Sequence, residues 1–304
     1  MSLNKNLDLI NQITSATNIS SKISKIEYLN LNKIVVYFKD KNFILKISKD
    51  KELLVFAQNE REGYLNKDLK KIYNLPEYEN IINTNELSVS KIQYLGDKKG
   101  NYFEINKFIK KKNLKIDYDT ICLEKYFQKL KNYYISKNQN INLENINFEI
   151  NSFINQNSTY KVPLEVSHGD FIHWNTRKFK NEFFIFDLEL YNPQRVFCYD
   201  IIHWHYIPFI QKIDLIKSTF IRNKLIDLFN IYLINFLRKK NPNYTILDYK
   251  KYIFLYLFEK KLYYLKILSI EKIQSKTTKI YYNQLIYIQK LIQNLIFNFI
   301  KNNG

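Results

Sequence analysis

The run from Val166 to Asp200, VSHGDFIHWNTRKFKNEFFIFDLELYNPQRVFCYD, decides how the rest of the chain is read. It carries two acidic centres. The first is His168-Gly169-Asp170, with Asn175 five residues after the aspartate, and the second is Phe186-Asp187-Leu188-Glu189. Between them, two short runs rich in aromatic and β-branched residues, Thr176 to Phe179 and Phe183 to Phe186, flank the polar break Lys180-Asn181-Glu182. That pattern predicts a β-hairpin. Paired strands lie about 4.8 Å apart, so the hairpin brings Asn175 at its start beside Asp187 at its end. Two oxygen donors so placed suit one Mg²⁺, a hard cation that favours carboxylate and carbonyl oxygen.

His168, Asp170 and Asn175, followed by an apolar strand ending in Asp187, match the pattern H-x-D-x-x-x-x-N and then D. In this the chain resembles the aminoglycoside phosphotransferase and choline kinase superfamily, relatives of the protein kinases, and most of all its poorly characterised bacterial small-molecule phosphotransferases. Glu189 fits the D-x-E variant of the small-molecule members. The resemblance implies an α+β, two-lobed protein-kinase-like fold. Residues 1–108 would form an N-terminal lobe, a small antiparallel sheet plus a helix that binds nucleotide. Residues 109–304 would form a mainly helical C-terminal lobe bearing the catalytic and metal-binding loops. ATP or GTP is implied as phosphoryl donor, with Mg²⁺. Asp170 would be the catalytic residue, orienting the acceptor hydroxyl and taking its proton. Asn175 and Asp187 would ligate the metal, and His168 would brace the loop. Glu189 is open between a second-metal ligand and a substrate contact; Trp174 is open between packing the loop and walling the substrate pocket. Asp200 fits the family's brace at a helix start, and an ordinary N-cap fits it as well.

Upstream, strand-like runs at Lys25 to Leu29, Lys33 to Phe38 and Phe43 to Ile47 precede a helical segment, Lys51 to Tyr73. Two further strands are expected at Glu86 to Leu95 and Tyr102 to Ile109, joined by a turn at Gly96 to Gly100. Three strands, a helix and two strands is the order of a kinase-like N-terminal lobe. Lys46, inside the apolar run Phe43 to Ile47, resembles the family's third-strand lysine, which holds nucleotide phosphates. Its partner would be a glutamate on the next helix, from Glu52, Glu60 and Glu62. Leu53, Ala57, Glu60 and Tyr64 recur at steps of four, three and four, which sets Glu60 on the apolar face. A carboxylate there is costly unless paired, so Glu60 is the choice. One departure stands out: the five glycines are at 63, 96, 100, 169 and 304, and none lies between Tyr28 and Val36, where relatives cover the phosphates with a glycine-containing turn. Near Asn106 and Phe108 the chain would pass between lobes and offer backbone hydrogen bonds to a purine.

Composition bounds the rest. The formal net charge is +18, but arginine is scarce and the lysines are scattered, with no basic stripe of the kind nucleic acid needs. Nucleic acid is therefore set aside as a partner. Two unspaced cysteines, Cys122 and Cys198, make no disulfide framework and suit a reducing cytoplasm. The first twenty residues lack a signal-peptide core, and no apolar run is long enough to span a bilayer. Leu225 to Leu237 is apolar nearly all round, which predicts a buried helix. Long helices are read at Lys217 to Lys239, Leu247 to Ser269 and Lys279 to Lys301, and from Lys110 onward the chain reads as helical apart from the hairpin region. His203 and His205 are two apart on a helix and point to different faces, a poor zinc chelate. Tyr252, Tyr256, Tyr263 and Tyr264 offer a cage for a quaternary ammonium, though an aromatic stripe of this spacing also describes core. Only 12 residues separate Asp187 from Asp200, too few for a protein kinase's activation segment. That spacing favours a small-molecule acceptor, and the activity the resemblance implies is transfer of a γ-phosphoryl group to a hydroxyl of a sugar, amino sugar, amino alcohol or aminoglycoside, with cell-surface polysaccharide synthesis as one setting. The alternative is a non-catalytic kinase-like protein that binds nucleotide or a partner. Oligomeric state stays open.

Overall fold

A computed structural model of the chain describes residues 3–19, 21–30, 33–49, 51–96, 99, 104, 119–135, 143–213, 215–270 and 282–293. The order begins with α1 (Leu3–Ala16), β1 (Ile23–Asn30), β2 (Lys33–Phe38), β3 (Phe43–Ser48), α2 (Lys51–Leu65) and α3 (Lys67–Ile72). It continues with β4 (Tyr78–Asn83), β5 (Ser88–Gln93), β6 (Asp119–Cys122), α4 (Leu123–Tyr134), α5 (Leu143–Gln156) and β7 (Lys161–Ser167). Next come a 3₁₀ turn (His173–Asn175), β8 (Thr176–Phe179), β9 (Glu182–Ile185), a second 3₁₀ turn (Leu188–Leu190) and β10 (Asn192–Val196). The helices α6 (Tyr199–Ile213), α7 (Thr219–Lys240) and α8 (Ile246–Ile270) follow, and residues 282–293 are helical. The fold is α+β, an antiparallel sheet in the N-terminal part and helices through most of the remainder. It divides into two compact units, residues 1–109 with 166–192, and residues 110–165 with 193–304.

The first unit is built on a five-stranded antiparallel sheet in the order β1-β2-β3-β5-β4. Successive side chains on a strand face opposite ways. Ile34, Val36 and Phe38 of β2 and Leu45 and Ile47 of β3 therefore pack together beneath Ile10 and Ile13 of α1, all buried. The opposite face receives Lys46, buried at 8% exposure.

Two expectations need correction here. The helix foreseen over Lys51 to Tyr73 is two helices, because Asn66 leaves helical geometry and its side chain accepts the Leu69 N–H as an N-cap. Further on, β5 lies between β3 and a strand that the sequence did not suggest, β4. Its hairpin partner is Tyr78–Asn83, an edge strand whose polar Glu79, Asn80 and Asn83 conceal the alternation that marks a half-buried strand. The foreseen strand at Tyr102 to Ile109, with Asn106 and Phe108, falls outside the described residues apart from Glu104.

The second unit centres on α8, where Tyr249, Tyr252 to Glu259 and Leu262 are all at most 1% exposed. A helix with apolar contacts all round is a core helix. α7 does not have that character: Phe220, Ile221, Leu228, Ile231 and Tyr232 are exposed, and the inward stripe is Ile226, Leu233 and Leu237. Being apolar on every side did not bury it among the described residues. The unit also contains a small sheet in the order β10-β7-β6, where the sequence suggested helix alone. Of the two readings of the tyrosine stripe, the core one holds for three of its four members. Tyr252, Tyr256 and Tyr264 are core residues, the Tyr256 hydroxyl lies 2.9 Å from His203 Nδ1, and the cation 5.2 Å from the Tyr263 ring is Lys260 of the same helix. His203 and His205 diverge, the latter packing edge-on against Phe236. No helix among the described residues is long and apolar enough to cross a membrane.

Candidate active site

The hairpin β8–β9 pairs Thr176 with Ile185, and one step outward the Phe186 N–H donates to the Asn175 carbonyl at 2.9 Å. This rung joins the two acidic segments. Below it, His168 is fully buried. Its Nδ1 accepts the Asp170 N–H at 3.1 Å, which leaves the proton on Nε2 to be donated to the Phe186 carbonyl at 2.6 Å. Gly169, at φ +87°, makes the left-handed turn that lets the Asp170 N–H face back to the ring. The Asn175 amide donates to both the backbone carbonyl and Oδ2 of Asp170, each at 2.9 Å. With its nitrogen so engaged, Asn175 has Oδ1 as the atom a metal would take. His168, Asp170 and Asn175 thus form one hydrogen-bonded loop anchored on the strand end before Asp187. Half-buried Trp174 stacks edge-on with His173, and its carbonyl accepts from Arg177.

Asp187 adopts a left-handed conformation, φ +63°, which aspartate tolerates better than most residues. Its Oδ1 lies 2.9 Å from Lys46 Nζ, which is also 2.8 Å from Glu60 Oε1 and 2.5 Å from Glu189 Oε1. The sheet supplies the lysine, α2 the first glutamate, and the segment after the hairpin the other two acids. Burial opposes the Lys46 charge, yet Asp187, Glu189 and Glu60 together raise its pKa well above the usual lysine range. Burial raises the Glu60 pKa to about 7 against the pull of Lys46. Asp187 is held below the usual carboxylate range, since Lys46 and Lys33 outweigh its burial. Among the described residues, Glu60, Asp187 and Glu189 offer ligand atoms within 4.8 Å of one another. Hard carboxylate oxygens gathered so closely fit a cation such as Mg²⁺.

Asp200 belongs to the second unit, buried near the start of α6, where burial first and the nearby Asp200 second push the Glu165 pKa up. Asn106 and Phe108 lie outside the described residues. Two contributors escaped the motifs. Lys33 reaches Glu189, and the only signal for it was its strand register with Lys46. Gly63 lets α2 lie against the segment after the hairpin: a Cβ there would sit 2.9 Å from Tyr191 Cγ and 3.1 Å from Leu188 Cβ. Those atoms are too close to their backbones to swing away. Gly63→Ala is expected to lower the melting temperature, the overpacking penalty of about 1–3 kcal/mol exceeding alanine's helix-propensity gain of up to about 1 kcal/mol. A thermal melt showing equal or greater stability would remove the close approach as a constraint.

No protein-family model matches the sequence, and no curated protein matches it. Solved structures do match in fold. Choline kinase LicA from Streptococcus pneumoniae superposes with a TM-score of 0.57 at 12% identity, over 94% of this chain and 99% of that one. The GDP complex of aminoglycoside 2′-phosphotransferase-IIIa gives 0.55 at 11% identity, over 96% and 98%. A choline/ethanolamine kinase family protein from Mesorhizobium loti gives 0.52 at 10% identity, over 98% and 99%. With nearly the full length of each chain matched, this protein shares the kinase-like α+β fold of these three structures.

Proposed function

We propose that this protein is a small-molecule kinase that moves the γ-phosphoryl group of ATP or GTP to a hydroxyl of a small acceptor in the cytoplasm. One observation carries the reading: the Lys46 ammonium bridges Glu60 and Asp187 at the end of the same hairpin whose start holds Asp170 through Asn175. Phosphoryl transfer asks a protein chiefly for positioning and charge neutralisation, and these groups supply both. Lys46 holds the α- and β-phosphates, and Glu60 keeps it aimed. Backbone near Asn106 and Phe108 takes the purine. Asp170 orients the acceptor hydroxyl. As that oxygen bonds to the γ-phosphorus and the bond to the β-phosphate oxygen breaks, Asp170 accepts the proton. Asn175 and Asp187, the latter close to Glu189, would be the oxygen donors for Mg²⁺, whose charge would offset that of the phosphates. His168 braces the loop, and Trp174 borders the acceptor.

Proteins of this fold include choline, choline/ethanolamine and aminoglycoside kinases, so the acceptor is sought among amino alcohols, sugars, amino sugars and aminoglycosides, envelope-polysaccharide precursors included. LicA has been solved with AMP and the aminoglycoside enzyme with GDP, which keeps both purine donors in view. The test is release of ADP or GDP by the purified protein with Mg²⁺ across these acceptors. Release that depends on one acceptor and vanishes in Asp187→Asn is the expected result. Thermal stabilisation by nucleotide without release from any acceptor would favour a kinase-like binding protein instead. Neither stabilisation nor release would overturn the reading.

A further inference from the structure

Lys33 has no place in the motifs, yet its ammonium pairs with the same Glu189 oxygen that binds Lys46. It is the first residue of β2. In the β2–β3 ladder Val35 lies opposite Lys46 and Lys33 opposite Ser48. Strand alternation therefore sets Lys33, Val35, Lys46 and Ser48 on one face, while Ile34 and Val36 enter the core beneath α1. The Lys33 side chain is only 12% exposed, unusual for a lysine at a strand end.

The charges explain why it is held there. Lys33 and Lys46 face the carboxylates of Glu60, Asp187 and Glu189, two positive groups against three negative. Two ammonium groups on one carboxylate oxygen repel each other, and only the surplus of negative charge keeps them together. An arriving polyphosphate offers both a stronger partner. Lys33 also stands just after the β1–β2 connection, where this chain has no glycine to let a phosphate approach the backbone. A side-chain cation at the first residue of the strand can reach the same anion without close backbone approach.

We propose that Lys33 is a second phosphate-binding lysine, standing in for the glycine-containing turn, and that Glu189 holds it in readiness until nucleotide arrives. This rests on the kinase reading above. Calorimetric titration of the wild type, Lys33→Ala and Lys33→Arg with ATP and with adenosine, or with GTP and guanosine, tests it. Loss of a charge-assisted contact should weaken the triphosphate roughly 10- to 100-fold in Lys33→Ala. Nucleoside affinity should be unchanged, and Lys33→Arg should restore most of the loss. In turnover assays the nucleotide KM should rise more than kcat falls. Equal weakening of nucleoside and triphosphate would mark Lys33 as merely structural and overturn the proposal. Unchanged triphosphate affinity in Lys33→Ala, with a wild type that binds, would overturn the Lys33 assignment alone. A wild type that binds neither triphosphate would overturn the kinase reading and the Lys33 proposal with it.

Discussion

Asp187→Asn is expected to lose on the order of 10³-fold or more in turnover, the scale of removing a preorganised charge at a reacting phosphate, while its melting temperature stays near that of the wild type. The structure separates the two effects. The Asp187 side chain is 40% exposed, and Lys46 keeps Glu60 and Glu189 when it goes, so no buried ammonium is abandoned. With one carboxylate gone, two lysines face two acids. Asparagine also tolerates the left-handed backbone at φ +63°. Alanine does not, so Asp187→Ala should lose about 1–2 kcal/mol of stability as well as activity. Asp170→Asn should slow turnover by about 10²- to 10⁴-fold, the usual contribution of a positioned base, with the Asn175 contacts to its backbone carbonyl retained. Nucleoside diphosphate release and thermal melts on the same preparations check both. Near-wild-type turnover in the Asp187 and Asp170 variants would refute the active-site assignment.

The largest effect on stability is expected far from these residues in sequence. Glu259, fully buried on α8, accepts from Arg195 Nε at 2.7 Å, the Tyr134 hydroxyl at 2.8 Å and the Tyr126 hydroxyl at 3.3 Å. Arg195 is 1% exposed, and its guanidinium lies 4.4 Å from the centre of the Tyr199 ring. Burial works against the guanidinium charge, and the Glu259 carboxylate more than offsets it. Glu259→Ala removes the buried carboxylate that balances the Arg195 charge, at a cost of about 3–5 kcal/mol, although the guanidinium keeps the Tyr134 hydroxyl at 3.3 Å. Replacing both partners with apolar residues of similar size, Arg195→Met with Glu259→Leu, should recover much of that loss, because the penalty comes from a buried charge that has lost its counter-charge more than from the missing bond. Urea denaturation of the two single variants and the double variant measures the coupling directly. Additive losses would mean that the two side chains do not act as a pair.

How much of this could be read beforehand depends on how local each signal was. His168, Asp170, Asn175 and Asp187 lie on one short stretch whose hairpin is written in its own aromatic and β-branched residues, so their mutual positions follow from strand pairing. Glu60 followed from helical spacing, because burial of a carboxylate needs a partner and Lys46 was the nearby cation. β4 stayed hidden, since Tyr78–Asn83 is an edge strand that solvates one side and carries asparagine where alternation would show valine. Asn66 looked like a helical residue until its side chain was seen capping the next helix. α7 was misjudged for a different reason: an apolar residue on every side states what a helix could bury and not what is present to cover it. Lys33 needed the β2–β3 register, a nonlocal fact that composition blurs in a lysine-rich chain.

The way α2 is fastened bears on how such a protein could be controlled. The Asn59 amide holds the Glu189 carbonyl at 3.0 Å, and about one turn later Gly63 lets the helix rest on Leu188 and Tyr191. Protein kinases are switched by moving the helix that carries the glutamate partner of the strand lysine. Here Asn59 and Gly63 tie that helix to the segment bearing Asp187 and Glu189, so an outward swing of α2 would cost both contacts.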